Sequence, residues 1–347
     1  MNFGDRYRSW SKVDLHRHLE GSLRRSSLLE LAQERPTLTG IDLQALPQNV
    51  AVREDDPHEP EFFLSRFETL RKFFLDRQTI ERLTGEVIED AAVDGVRYLE
   101  LRFTPAALAS QGSFTFEEVS DWVISAASSA AESNAIQVQF LLSLNRHEPL
   151  ALAEEVAEVA VGFRTRGVVG LDLAGDENNH PARPFAAVLE RARSAGLNIS
   201  VHAGEWGDVH ELSVAIRELG ARRIGHGVHI LEDEDLLREA RESEVCFEVS
   251  LTSNQRTGAV PDLRSHPLPE MLEAGLQVAL TTDDPAIFDI TLSDEYGLSE
   301  QYLKLSPETL KGMTLSAVQA SFLEPKPKRI LEQQFVREFW GEKAADD

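Results

Sequence analysis

Short apolar segments alternate with longer amphipathic segments along most of the chain. The short ones, rich in Val, Leu, Ile and Phe, are 12–19, 96–103, 138–144, 168–175, 198–205, 222–230, 244–254 and 277–285. The longer ones, such as 149–166 and 183–196, have helical periodicity, and several end at a glycine suited to a helix C-terminus (Gly196, Gly220, Gly275). Because parallel strands buried on both faces are nearly continuous apolar runs, this alternation predicts an α/β fold, a closed (β/α)8 TIM barrel. A doubly wound open sheet is the alternative.

One long insertion follows the first predicted strand, and further helices follow the last one. The insertion, residues 36–76, combines a polar loop at 36–61 with a helical segment at 61–74. A segment that follows the carboxyl end of a barrel strand is expected over the mouth of the barrel. We therefore predict a single domain, residues 1–347, in which 36–76 is either a lid or a packing elaboration.

The amino-acid composition limits which kinds of molecule the protein is expected to bind. The net charge of -24 disfavours nucleic acid and anionic membrane surfaces, and leaves a small molecule in a recessed pocket as the expected partner. The one cysteine, Cys246, lies in an apolar run, so disulfides within the chain and a cysteine-based zinc site are excluded. The N-terminus has no apolar signal segment and no run is long enough to span a membrane, which predicts a cytoplasmic protein. Nothing in the sequence indicates an oligomeric state.

Polar residues collect where the predicted strands end. Four of the ten histidines and two adjacent aspartates lie there: His16, His18, His202, His226, Asp283 and Asp284. In a barrel the carboxyl ends of the strands converge on one face, so these side chains are expected to meet.

The histidine pair of the first strand points to a metal. His16 and His18 are two residues apart, so both side chains lie on the same face of the strand. With His202 and a buried Asp283 they form a three-imidazole, one-carboxylate set that suits Zn²⁺, although Fe²⁺ and Mn²⁺ accept similar ligands. A metal in this set would make hydroxide available at neutral pH.

Three further residues are candidates from their positions alone. Glu205, three residues after His202, could act as a general acid or could be a favourable acid in the first turn of a helix. His226 lies between two glycines, which allows close approach of another group, but a core histidine is equally compatible. Gly175 ends a strand and could present its backbone to a flat ligand, or could simply form a turn.

The motifs together resemble the adenosine deaminase family of the amidohydrolase superfamily. The matching segments, in order, are KVDLHRHLEGSLR, YLELRFTP, GLDLAGDE, VHAGE, RIGHG, LTSNQRTGAV and TTDDPAIF, which cover residues 12 to about 290. The resemblance implies a TIM barrel with one zinc ion per chain, which agrees with the reading from the residues. It also implies a hydrolase acting on the C–N bonds of cyclic amidines.

The resemblance assigns roles to residues. Its zinc ligands are His16, His18, His202 and Asp283. Glu205 is implied to protonate the purine N1, and His226 to orient or deprotonate the attacking water, with Asp283 beside them. The implied substrate contacts are His18, Glu20, Gly175 and Asp284, together with an apolar gate of Phe63, Leu64 and Phe67. Asp172 and Ser253 are implied to support the site.

The identity of the substrate is the open question. The expected reaction converts adenosine or 2′-deoxyadenosine to inosine or 2′-deoxyinosine and ammonia. The alternatives are a deaminase for free adenine or for a modified adenine nucleoside such as aminodeoxyfutalosine or an N6-substituted adenosine or AMP. Glu20 stands where family members typically have aspartate, and no basic cluster beside the motifs favours AMP. A barrel that only binds its ligand is a further alternative.

Overall fold

Eight parallel strands form one sheet in the order of the chain. The computed structural model describes residues 3–35, 38 and 41–341. Within these residues each strand pairs with the next one along the chain. The strands are β1 (Lys12–His18), β2 (Val96–Phe103), β3 (Gln137–Asn145), β4 (Val168–Ala174), β5 (Asn198–Ala203), β6 (Arg223–His226), β7 (Cys246–Val249) and β8 (Gln277–Leu280).

The sheet closes between β1 and the segment that follows β8. A parallel bridge joins Arg17 to Asp283. The backbone N–H of His18 donates to the Asp283 carbonyl at 2.9 Å, and the N–H of Asp283 donates to the His16 carbonyl at 2.8 Å. The predicted (β/α)8 barrel is therefore confirmed, and its seam carries three of the residues singled out from the sequence.

Helices surround the barrel, and most of them lie between consecutive strands. Those before β5 are α1 (Arg25–Glu34), α2 (Leu46–Asn49), α3 (Pro60–Leu70), α4 (Arg77–Val93), α5 (Pro105–Ala109), α6 (Phe116–Asn134), α7 (Leu150–Gly162) and α8 (Ala186–Ser194). After β5 come α9 (Val209–Ser213), α10 (Glu234–Glu242), α11 (Leu251–Arg256), α12 (Leu268–Glu273), α13 (Pro285–Phe288), α14 (Leu292–Leu303), α15 (Pro307–Ala320) and α16 (Pro325–Trp340). Among the described residues, no helix is both long and apolar enough to cross a membrane.

Strand β2 shows how the barrel separates its two faces. Leu99, Leu101 and Phe103 belong to the large apolar core. The alternate residues Glu100 and Arg102 are fully buried and form ion pairs with residues of other strands. Since side chains alternate across a strand, one face of β2 packs on helices while the other brings charge into the barrel interior.

The predicted seventh strand is too long. The run 244–254 was expected to be extended throughout, but β7 ends at Val249 and α11 begins at Leu251. The carboxylate of Glu295 accepts hydrogen bonds from the backbone N–H groups of Leu251 at 2.6 Å and Thr252 at 3.1 Å. This carboxylate satisfies the otherwise orphaned amides at the start of the helix. Because Glu295 lies on α14, more than forty residues away, the local pattern could not indicate the helix.

The insertion after β1 contains α2 and α3. Residues 36, 37, 39 and 40 of the predicted insert lie outside the described residues. Helix α3 contributes Phe63, Leu64 and Phe67 to the wall of a cavity at the carboxyl ends of the strands. Helix α3 therefore lies over this end of the barrel, and the action of the insert as a lid stays a prediction, as do the boundaries of the single domain.

Candidate active site

Four ligand atoms converge at the carboxyl ends of the strands. The Nε2 atom of His18 lies 3.2 Å from Nε2 of His16 and 3.3 Å from Nε2 of His202. The Oδ1 atom of Asp283 lies 3.1 Å from Nε2 of His16 and 3.3 Å from Nε2 of His18. In a regular tetrahedron with edges of this length, the centre lies about 2.0 Å from each corner, which matches zinc–nitrogen and zinc–oxygen bond lengths.

The hydrogen-bond partners of two of the imidazoles suit a cation among these four atoms. Nδ1 of His16 lies 2.8 Å from the Glu248 carboxylate, and Nδ1 of His202 lies 3.1 Å from the Asp172 carboxylate. A carboxylate accepts only, so in the neutral rings each Nδ1 carries the proton and each Nε2 presents a lone pair. Lone pairs that face one another and a carboxylate oxygen repel unless a metal ion lies among them. The residues present therefore fit a tetrahedral divalent metal.

Arg102 joins the two carboxylates that hold the imidazoles. Its guanidinium donates to Asp172 at 2.9 Å and to Glu248 at 2.9 Å, and all three side chains are fully buried. Although burial alone would raise it, Arg102 and His202 hold the pKa of the Asp172 carboxyl well below its usual range. Burial is likewise outweighed at Glu248, whose pKa is lowered by Arg102 and Arg223. Both carboxylates thus stay charged and keep accepting from the imidazoles.

Sequence reasoning identified Asp172 and missed Arg102 and Glu248. Both missed residues are charged side chains that lie fully buried in strands, Val96–Phe103 and Cys246–Val249. The same signal that singled out the histidines, a polar residue in a buried strand, would have identified them.

Asp283 is held so that one oxygen faces the imidazoles. Ser253 donates to Oδ2 at 2.7 Å, which leaves Oδ1 directed at His16 and His18. The backbone of Asp283 has a φ of 61°, and His226 has a φ of 67°. This left-handed conformation is strained for residues other than glycine and is typically tolerated at functional sites.

His226 lies beside the four-atom cluster. Ligand atoms of His16, His202, His226 and Asp283 all fall within 4.8 Å of one another, so His226 is close enough to share a bound metal's surroundings. A Cβ at the neighbouring Gly225 would lie 2.9 Å from Cε1 of His16 and 3.2 Å from Cγ of His202. The absence of a side chain at Gly225 thus makes room for the imidazoles of His16 and His202.

Glu205 is a buried carboxyl held in a fixed orientation. Thr257 donates to its Oε1 at 3.1 Å, and its Oε2 lies 3.4 Å from Nε2 of His226. Burial, with the negative charges of Asp283 and Glu177, raises the pKa of the Glu205 carboxyl well above its ordinary value. A carboxyl in this environment retains a proton that it can donate.

Glu177 holds the backbone that carries Glu205, and the sequence analysis did not identify it. Its Oε2 accepts from the N–H of Gly204 at 2.9 Å, and its Oε1 accepts from the N–H groups of Glu205 at 2.7 Å and Trp206 at 2.5 Å. Glu177 lies in the matched segment GLDLAGDE, but the partners of its carboxylate are 27 to 29 residues away. Only the fold reveals what it binds.

Two more carboxyls have oxygens without a partner in the described part of the chain. Oε1 of Glu20 accepts from the backbone N–H of Thr104 at 3.0 Å, while its Oε2 is buried and unpaired. Oδ1 of Asp284 is likewise buried and unpaired. A Cβ at Gly21 would lie 1.6 Å from this Asp284 oxygen. Gly21 is therefore required by the close approach of Asp284, in addition to forming the turn after β1.

A cavity of about 410 Å³ extends from the candidate metal ligands to α3. Its size is within the range of small-molecule sites, about 300–1,000 Å³. The residues of the predicted site that line it are His18, Glu20, Phe63, Leu64, Phe67, Gly175, His202, Glu205, His226, Asp283 and Asp284. Asp172 and Ser253 are not among its lining residues; they contact the ligands from behind, through His202 and Asp283.

The cavity also contains donors that the sequence analysis did not consider. Arg71 lines it, just beyond the end of α3, and its Nε is buried without a hydrogen-bond partner among the described residues. The indole Nε1 of Trp206, also in the lining, has no partner there either. Glu20 and Arg71 line the same cavity; burial raises the pKa of the Glu20 carboxyl, and the positive charge of Arg71 opposes this rise.

Comparisons with known proteins agree with these observations. The family model described as adenosine deaminase matches residues 11–337. Adenosine deaminase of Shigella flexneri serotype 5b (strain 8401) is 34% identical over 323 residues, which are 93% of this chain and 96% of the relative.

Solved structures show the same architecture. The N6-mAMP deaminase MAPDA of arabidopsis has a TM-score of 0.86 and 30% identity, with 95% of this chain and 99% of that chain covered. Arabidopsis ADAL complexed with GMP has a TM-score of 0.87 at 29% identity, with 96% and 98% covered. The adenine deaminase of Arthrobacter aurescens has a TM-score of 0.85 at 26% identity, with 94% and 98% covered.

Replacing Glu177 with Gln tests its hold on the Gly204–Trp206 backbone. The amide cannot accept from all three N–H groups, because an NH₂ group, which only donates, replaces one of the two carboxylate oxygens. We expect the free energy of unfolding, measured by urea titration, to fall by about 1.5–3 kcal/mol, the value of a hydrogen bond to a charged group. The surface variant Glu218→Gln, which breaks only an exposed pair with Arg183, should change it by less than about 1 kcal/mol. Equal effects of the two variants would contradict the assignment.

Proposed function

The chain belongs to the adenosine deaminase family, whose members are hydrolases that act on C–N bonds of cyclic amidines, and we propose that it deaminates adenosine and 2′-deoxyadenosine. The products are inosine or 2′-deoxyinosine and ammonia. The observation that carries the proposal is the position of a buried carboxyl, Glu205, 3.4 Å from His226, which itself lies among the converging imidazoles and the Asp283 carboxylate. This arrangement supplies a proton donor and a metal set in one cavity.

The metal in this proposal is one zinc ion. His16, His18, His202 and Asp283 would hold it, since three nitrogens and one oxygen suit zinc. Bound there, zinc would activate a water molecule as a nucleophile at neutral pH. Asp172 and Glu248 keep the rings of His202 and His16 in the orientation that directs Nε2 at the ion.

Glu205 prepares the purine ring for attack. Its carboxyl retains a proton, because burial and neighbouring negative charges raise its pKa. Donation of this proton to N1 withdraws electrons from C6, the carbon that bears the amino group. Water then adds at C6 and gives up its two protons, one to the amino group, which leaves as ammonia, and one to the Glu205 carboxylate, which is thereby restored. The overall balance is one water consumed and one ammonia released.

Asp284 and Gly175 orient the ring in this proposal. Burial, with the charges of Asp283 and Glu20, raises the pKa of the Asp284 carboxyl well above its ordinary value. A carboxyl that keeps its proton can donate a hydrogen bond to N7, which only accepts. Gly175, whose φ is 106°, offers its backbone N–H to N3. Phe63, Leu64 and Phe67 cover the sugar side and exclude water.

The substitution Glu205→Gln tests the role of the proton donor. The amide preserves size but has no acidic proton, so we expect kcat for adenosine to fall by about 10²–10⁴-fold. Zinc content, measured by elemental analysis, should be unchanged because Glu205 is not a ligand. Turnover is followed as loss of the adenine absorbance, with Glu218→Gln as the matched surface control. Near-normal turnover by the Glu205 variant would refute the assignment.

A second candidate substrate is an adenine nucleotide or another nucleoside with an anionic extension. Arg71 favours it, because its buried Nε has no hydrogen-bond partner among the described residues and it lines the same cavity as Glu20, an implied substrate contact. His147 and His180 line the same cavity, with ring centroids 6.2 Å apart. Two similar structures also support a nucleotide substrate: MAPDA is named as an N6-mAMP deaminase, and ADAL was solved in complex with GMP.

Replacing Arg71 with Ala separates these candidates. We compare kcat/KM for adenine, adenosine, AMP and aminodeoxyfutalosine in the wild type, in Arg71→Ala and in the neighbouring surface variant Lys72→Ala. If an anion binds at Arg71, its removal should cost about 10–100-fold with the anionic substrates, the value of a charge-assisted hydrogen bond. Adenosine should change by less than about threefold. A wild type that prefers adenosine over both anionic compounds would exclude the second candidate, and a preference for adenine would exclude both.

A further inference from the structure

A chain of hydrogen bonds leads from a backbone amide to His226. The N–H of Leu268 donates to Nδ1 of His266 at 3.0 Å. Nε2 of His266 lies 3.1 Å from Oδ1 of Asn254, and Nδ2 of Asn254 lies 3.0 Å from Nδ1 of His226. All three side chains in the chain are buried. Neither Asn254 nor His266 lines the cavity.

The direction of every bond in this chain follows from its first member. A backbone N–H can only donate, so Nδ1 of His266 accepts and the proton of this neutral ring is on Nε2. Burial lowers the pKa of His266 to about 3, so the ring is neutral near pH 7. Nε2 of His266 therefore donates to an oxygen, which must be Oδ1 of Asn254.

The orientation of the Asn254 amide is thereby determined. If the amide were turned around, its NH₂ would face Nε2 of His266, and both nitrogens of that ring would have to accept. An imidazole that accepts at both nitrogens is an anion, which is excluded at neutral pH. The NH₂ group consequently faces His226 and donates to its Nδ1. The neutral His226 ring must then carry its proton on Nε2, on the side of Glu205 and the metal ligands.

We propose that Asn254 and His266 are positioning residues that lock His226 as an Nε2–H donor toward the attacking water. The proposal rests on the proposed function for the identity of that water. An Nε2–H group donates a hydrogen bond to the water oxygen and directs one of its lone pairs at C6. The His226 ring cannot remove the proton of the water, because its only unprotonated nitrogen, Nδ1, already accepts a hydrogen bond from the Asn254 amide.

The two sets of histidines are thus controlled in opposite ways. Carboxylates place the proton of His16 and His202 on Nδ1 and leave Nε2 free for a metal. An amide places the proton of His226 on Nε2. Although His226 lies within reach of the same ligand atoms, its protonated Nε2 is unsuited to bind metal. The hydrogen-bond partner at Nδ1 therefore determines whether a histidine acts as a metal ligand, as His16 and His202 do, or as a hydrogen-bond donor, as His226 does.

The substitution Asn254→Asp reverses only the last bond of the chain. A carboxylate still accepts from His266, but it also accepts from His226 and so draws the proton to Nδ1. We compare the zinc-loaded wild type and variant by NMR of ¹⁵N-labelled histidine, with the His226 signals identified by their loss in His226→Gln. The expected proton position is Nε2 in the wild type and Nδ1 in the variant.

The kinetic effect is measured at a pH at which the same spectra show the His226 ring to be neutral. We expect kcat of Asn254→Asp to fall by about 100-fold, the cost of losing one oriented donor, with KM within about threefold and zinc content unchanged. Asn134→Asp, which adds the same charge at the end of α6, should match the wild type. His266→Gln retains a donor for Asn254 and should preserve the Nε2 proton, whereas His266→Leu should yield a mixture of the two proton positions.

Several results would overturn the proposal. A wild-type His226 with its proton on Nδ1 would overturn it without any kinetic measurement. This test remains decisive even if Asn254→Asp fails to fold. An Asn254→Asp enzyme that keeps the proton on Nε2, or one that turns over normally with a neutral Nδ1–H ring, would also overturn the proposal. Because the spectra need no substrate, they test the proton position even if the chain proves not to deaminate adenosine.

Discussion

The fully buried ion bridge through Arg102 is the interaction on which the site depends. Asp172 and Glu248 lie on β4 and β7, and the guanidinium of Arg102 on β2 donates to both. Two carboxylates cannot remain charged in a barrel interior without cationic partners, here Arg102 for both and Arg223 also for Glu248. Removing one member of a buried pair costs about 3–5 kcal/mol. If the carboxylates were protonated, they would no longer fix the rings of His202 and His16. The geometry of the metal ligands therefore originates one layer below them.

The same principle, in which the partner of one ring nitrogen determines the use of the other, extends across the whole site. A carboxylate partner at Nδ1 of His202 leaves its Nε2 lone pair free for a metal, whereas the Asn254 amide at Nδ1 of His226 leaves its Nε2–H free to donate to water. The acid Glu205 is treated differently, because its partners Thr257 and Glu177 fix its position while burial preserves its proton. Three kinds of proton control thus operate within one cavity.

The sequence predicted the barrel because eight apolar runs alternate with amphipathic ones, and it predicted the cluster because polar residues end those runs. It did not predict that α11 begins at Leu251, since the capping Glu295 is distant in sequence. Arg102 and Glu248 carried a readable signal, whereas Glu177, Arg71, Asn254 and His266 did not, because their importance comes from contacts made only in the folded chain. Glu20 stands where family members typically have aspartate; the structure adds that one of its oxygens is buried without a partner among the described residues and that Arg71 lines the same cavity.

The central claim is that the converging strand ends form one zinc-dependent deamination site. It is tested most directly by removing the metal with a chelator and restoring zinc in steps, while bound zinc and adenosine deamination are measured on the same samples. The account predicts turnover that rises in proportion to bound zinc and stops rising at one ion per chain. Full turnover by metal-free protein, or a plateau reached only at two ions per chain, would contradict it.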